Sequence, residues 1–344
     1  MIVGVLLVTT VPGNAADASL RSPWDLHAVT PTDAAYNCPA VPKLPHDFAT
    51  NSYYTDSHHS IPDPVLKKQY QDSVAGIDEF SRMVVKAADA FRTTGSRPAA
   101  QCSVSLLESA AKQKALAGNM DGHQAFYVQK WNLAAWALAY LKVRDSGAMQ
   151  PEQSKEIGKW FKELAKSARG YVEEKERHGS GNDAYNNHRY WAGLAITAAA
   201  VAINDRELFR FGLDSYKQGI HDIREDGTLL LEMDRGQMAL HYHLYALAPL
   251  VMIAEFGETN GVDLYAERGY AIKRLVARCV AGLENPIFFQ QKTGVEQVAS
   301  SEIEPWEISW AQPYTRRFPD AKISALLARA ARLGYTTLGG FPPE

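Results

Sequence analysis

The stretch Pro151–Arg177 (PEQSKEIGKWFKELAKSARGYVEEKER), the breaker run Gly179–Gly181 and then Asn187–Val201 (NHRYWAGLAITAAAV) decide the fold class. The first segment is rich in Lys and Glu from Lys155 to Lys175, the pattern of a helix with a solvated face. The second follows Asn186-Asn187, residue types that cap helices. Together they read as a helical hairpin. Working outward, helix signals cover Asp63 to Phe91, Ser103 to Ala117, Gln124 to Arg144, Arg206 to Ile220, Gly236 to Gly257, Val262 to Leu283 and Asp320 to Leu333. Gly95 to Pro98, Asp145-Ser146-Gly147, Glu225-Asp226-Gly227 and Glu284-Asn285-Pro286 separate them. No strand alternation of useful length occurs. Long helices with short connections make antiparallel neighbours. Periodicity establishes an all-α, hairpin-rich chain, and an incomplete α/α toroid with a central cleft fits that succession.

At 344 residues, 46% apolar and 22% charged, the chain has the composition of a globular protein with a large core. A net charge of −3 argues against a nucleic-acid partner, yet leaves room for a local basic cleft. Residues 1–18 read as an export signal: an apolar run from Ile2 to Thr10, then Pro12-Gly13 and the small-residue pattern Ala16-Asp17-Ala18. No later run is read as a membrane span, and a periplasmic or secreted location is expected. Residues 19–344 are expected to form a single, monomeric domain, with 51–60 as a candidate lid. Of three cysteines, Cys38 and Cys102 are expected to pair in that oxidising compartment, although other pairings exist; Cys279 reads as a buried thiol.

The chemistry concentrates in Asn186–Trp191 (NNHRYW) and Asp234–Tyr245 (DRGQMALHYHLY). With a cap at Asn186 or Asn187, His188 lies in the first helical turn and Trp191 at i+3 from it. A helix N-terminus favours negative charge. Arg235 and Tyr242, seven apart, share a helix face; His241 and Tyr245 share an adjacent one. His241 and His243 point to different sides of a helix, so neither a metal nor a cofactor is expected. Trp131 and Trp136, five apart on an apolar helix, read as core. Glu232 and Asp234 form a candidate hydrolase pair, but Glu232 could equally orient Arg235. The set of amide, imidazole, guanidinium and phenol suits removal of a carbon-bound proton beside a neutralised carboxylate.

At these residues the chain resembles the alginate lyases of polysaccharide lyase family five. Asn186–Trp191 resembles that family's Asn-Asn-His-x-Tyr-Trp motif, and Gln237–Leu247 its Gln-Arg-Ala-Leu-x-Tyr-His-x-Tyr-Ala-Leu run. Leu138–Val143, Pro249, Met252-Ile253-Ala254 and Gly261–Leu264 extend the likeness, which covers about Gln124 to Gln297. The resemblance implies an α/α toroid that cleaves an acidic polysaccharide by metal-independent β-elimination. It implies that Asn187, His188 and Arg235 neutralise the uronate carboxylate and that Tyr242 transfers the proton. Trp191, Tyr53, Tyr54, His241, Tyr245 and Arg189 are the expected substrate contacts.

In mannuronate the C5 proton and O4 lie on one side, so Tyr242 can serve both steps; for an epimer with opposed geometry His188 is the expected base. A phenol titrates near 10, so Tyr242 needs a cation such as Arg235, and an alkaline-leaning optimum is expected. Met238 stands where alginate-specific relatives often carry Arg, and the segment Asn51–His59 lacks their nearby Lys or Arg. Its Tyr53–Asp56 run resembles members acting on several polyuronates, so the polymer stays open. A toroidal glycoside hydrolase with facing carboxylates, and a non-catalytic polyuronate-binding protein, are the alternative readings.

Overall fold

The computed structural model describes residues 19–179, 181–299 and 302–343. The expected export signal lies outside them. From Asp63, whose carboxylate accepts from the amides of Val65 and Leu66, the chain enters α1 (Pro64–Thr94). It continues through α2 (Arg97–Lys112), α3 (Gly122–Val143), α4 (Pro151–His178), α5 (Asn187–Ile203), α6 (Arg206–Asp222), the short α7 (Leu230–Met233) and α8 (Ala239–Thr259). Shorter helices complete it: α9 (Glu267–Tyr270), α10 (Ile272–Glu284), α11 (Ile287–Thr293), α12 (Pro305–Ile308), α13 (Ala311–Arg317) and α14 (Ala321–Arg329). A two-residue parallel pair, β1 (Phe48–Ala49) and β2 (Met120–Asp121), ties the N-terminal arm to the start of α3.

The arrangement is an incomplete α/α toroid, and sequence composition explains its two layers. Helices α3, α5 and α8 are apolar on nearly every side and buried almost throughout. Such helices belong inside. They pack in succession, α1 on α3, α3 on α5 and α5 on α8. Helices α2, α4 and α6 carry an apolar stripe on one side only and cover the joints between them. Helices α5 and α6 pack closely at Gly212, where a Cβ would come within 1.8 Å of the Thr197 hydroxyl. By length and composition Gly236–Thr259 could cross a membrane, but 83% of its most apolar 18-residue stretch is buried, as in a core helix.

Several expected boundaries shift. Gly95–Pro98 is no simple break: Ser96 caps α2 by accepting from the amide of Ala99, and Pro98 sits in the first turn, where its missing N–H costs nothing. The helix expected from Gly236 begins as a 3-10 turn, Gly236–Met238, before α8 proper. The run expected over Val262 to Leu283 is interrupted where Arg268 and Gly269 take positive φ of 48° and 62°. Cys38 and Cys102 are joined, with Cα atoms 5.5 Å apart, and Cys279 is a buried free thiol.

Candidate active site

A cavity of about 440 Å³ opens at one end of the inner layer. The segment 51–60 lines it with Tyr53, Tyr54 and His59; α1 contributes Tyr70 and Asp78; α3 contributes Gln124, Tyr127 and Trp131. His188, Arg235, His241, Tyr242 and Tyr245 complete the opposite wall. The segment 51–60 is shaped by Asp56, which accepts from the amides of Ser60 and Ile61 at 2.8 and 2.7 Å. Burial works against that carboxylate's charge, but these hydrogen bonds hold its pKa down to about 2. The segment is fastened to the far wall by His58 Nδ1, 2.6 Å from the Asp234 carbonyl, and by Gln237 Nε2 donating to the Ser60 carbonyl at 2.8 Å.

Tyr242 is the best-framed group in the cavity. Its hydroxyl is hydrogen-bonded to the Tyr54 hydroxyl at 3.1 Å, and the Arg235 guanidinium lies 4.5 Å from its ring centre. The expected Arg235–Tyr242 contact therefore exists, although Arg235 precedes the helix rather than sharing two of its turns. Burial pushes the Tyr242 pKa up to about 12, and the opposing pulls of Arg235 and Tyr54 are smaller. The cation is in place but does not outweigh burial.

Asn186 caps α5 by accepting from the His188 amide at 2.9 Å, and this fixes the first turn. His188 follows with its ring stacked on Tyr127, centroids 3.8 Å apart. Burial first, then the nearby Lys130 and Arg235, hold its pKa well below the usual range, so the ring is neutral. His241 is likewise neutral, pushed down to about 4 by burial, and packs 4.4 Å from the Trp306 ring. His243 turns the other way, accepting from the Leu229 amide at 2.9 Å.

Three expected contacts are not brought to the cavity surface. Asn187 is fully buried; its backbone amide donates to Glu232 at 2.7 Å and its side-chain nitrogen lies 3.1 Å from both carboxylate oxygens. Arg189 faces the outer layer, donating from Nε to Ser215 at 2.8 Å, pairing with Glu176 and lying over Phe211. Trp191 is fully buried behind Tyr245, whose carbonyl accepts from its indole at 3.1 Å. Glu232 serves Asn187 and lies 3.8 Å from Arg235 Nε, so it does not face Asp234 across the cavity.

Trp131, expected in the core, instead lines the cavity, whereas Trp136 is core as expected. Gln124, Tyr127 and Trp131 recur at i, i+3 and i+7, a stripe that could have marked the cavity-facing side of α3. Lys130, Asp183 and the distant Tyr335–Thr337 carried no local signal. Asp183 accepts from Tyr171 at 2.8 Å.

Comparison with known proteins agrees with this fold. The alginate lyase family model matches residues 47–289. A polysaccharide lyase of Stenotrophomonas maltophilia is 40% identical over 83% of each chain, and an alginate lyase of Pseudomonas fluorescens is 32% identical over 91% of this chain and 86% of its own. Among solved structures, alginate lyase A1-III of Sphingomonas species A1 superposes with a TM-score of 0.77 at 26% identity, covering 95% of this chain and 90% of that one. A histidine-to-alanine variant of that enzyme, complexed with a tetrasaccharide, superposes at 0.78.

Proposed function

Because the chain belongs to the alginate lyase family, we propose that it is a polysaccharide lyase that depolymerises an acidic polyuronate by β-elimination at this cavity. The observation that carries this reading is the convergence of Tyr242, Arg235 and His188 on one cavity, with Tyr242 held between a cation and a second phenol. Arg235 supplies positive charge for the uronate carboxylate. Neutral His188 supplies an N–H donor beside it. Asn187 supports Arg235 from behind, through Glu232, which lies against it.

In the reaction the Tyr242 phenolate takes the C5 proton, and the C–H electron pair forms the C4–C5 double bond. The C4–O4 bond breaks, and O4 leaves with the proton that Tyr242 has just received. Charge that builds on the carboxylate during proton removal is held by Arg235 and His188, donors fixed before the substrate arrives. A uronate whose C5 proton and O4 share one side, as in mannuronate, needs no second base. Tyr53, Tyr54, Trp131 and Tyr245 offer aromatic faces to the sugar rings. The enzyme acts as a monomer in the periplasm or outside the cell, a setting in which the Cys38–Cys102 disulfide persists.

Mass spectrometry of the products separates this reading from hydrolysis. Elimination leaves oligomers whose new non-reducing ends lack the water that hydrolysis adds. Products that all carry that water would overturn the proposal.

A further inference from the structure

His188 is gripped from one side by α3. The Lys130 ammonium nitrogen lies 3.1 Å from His188 Nδ1 and donates to the His188 backbone carbonyl, also at 3.1 Å. It sits 4.3 Å from the centre of the Tyr127 ring, the same ring that stacks on the imidazole. Lys130 is only 3% exposed, so this is a built contact rather than a wandering surface chain. An ammonium group has three hydrogens and no lone pair. Facing it, Nδ1 must be the acceptor.

We propose that Lys130 is a positioning residue: by donating to Nδ1 it confines neutral His188 to the tautomer protonated at Nε2, which turns an N–H donor toward the substrate carboxylate. The role of His188 itself rests on the function proposed above. The nitrogen that carries the proton in a neutral imidazole is set by the hydrogen bond made at the other one. In the opposite tautomer the cavity would meet a lone pair, which repels a carboxylate. Burial lowers the Lys130 pKa to about 7 against the pull of Asp183, so the ammonium form, and with it the selection of the tautomer, is strongest below neutral pH. Tyr127 holds the plane of the ring while Lys130 selects the proton's place on it.

The test is nitrogen-15 NMR of the ring nitrogens in histidine-labelled protein, below neutral pH. The chain has ten histidines, so the His188 signals are assigned by their loss in His188→Gln. The expected native spectrum shows Nδ1 unprotonated and Nε2 protonated. Lys130→Met is expected to lose that preference and to lower kcat by ~10–100-fold with little change in KM, whereas Lys130→Arg restores part of both. A native signal protonated at Nδ1, or Lys130→Met with native tautomer and native kcat, would overturn the proposal. If Lys130→Met does not fold, the native spectrum and Lys130→Arg still decide it. Full turnover by His188→Gln would instead remove His188 from the mechanism, a failure of the underlying reading that the Lys130 variants alone would not produce.

Discussion

At Tyr242, burial, a guanidinium and a neighbouring phenol compete, and burial wins, leaving the pKa at about 12. A base of that strength is mostly protonated at neutral pH. Activity should therefore climb with pH, kcat/KM rising by roughly tenfold per pH unit where ionisation of the phenol limits the rate. A flat profile from mildly acidic to alkaline conditions would exclude a phenolate base. Arg235 both favours that phenolate and meets the carboxylate, so Arg235→Ala should reduce kcat by about 10²–10³-fold. Steady-state kinetics check this: a change in KM alone would limit Arg235 to ground-state binding. Residues of this kind were legible because Arg235, Tyr242 and the Asn-capped His188 carry chemistry at short spacings. Arg189 and Trp191 were misread because α5 is buried on every side, so its sequence does not say which side meets the cavity.

Among the elements, the C-terminal segment shows how far local reading reaches. Tyr335, Thr336 and Thr337 line the cavity, yet what holds them lies remote in sequence. The chain turns at Gly339 and Gly340, with φ of 74° and 92°, and a Cβ at Gly340 would fall 2.0 Å from the Asp89 carboxylate. That carboxylate pairs with Lys142, which also donates to the carbonyls of Gly339 and, at 2.8 Å, of Phe341. Burial opposes the charge on both partners. Lys142→Met would strand the buried Asp89, and denaturant unfolding should show a loss of about 3–5 kcal/mol. Adding Asp89→Leu should recover much of it; no loss in the single variant would mean that the pair does not anchor the segment. No periodicity signals such an element, since its partners are long-range. The main helices were legible because each repeats its own pattern over many turns, whereas α11 to α13, at 4–7 residues, are too short to show one.

Across the whole molecule, an apolar inner layer wrapped by half-apolar outer helices was foreshadowed by the succession of hairpins, while closure around a cleft needed the family motifs. The cavity wall is rich in buried phenols: Tyr53, Tyr54, Tyr70 and Tyr242 all have pKa values raised, first by burial. Each favours the neutral folded form. Their contribution to stability is complete below about pH 10, where unfolded tyrosines are protonated, and is lost as pH rises through the higher folded values. Resistance to urea should thus fall above about pH 10, ending the alkaline rise in activity by unfolding; resistance unchanged there would contradict this burial. The most direct measurement is ultraviolet absorbance of unsaturated uronate as the wild type and Tyr242→Phe act on polymannuronate and polyglucuronate, with and without chelator. The account predicts a rise for the wild type on at least one polymer, unaffected by chelator, and almost none for Tyr242→Phe, which should still bind. New reducing ends without absorbance, or a variant as active as the wild type, would contradict it.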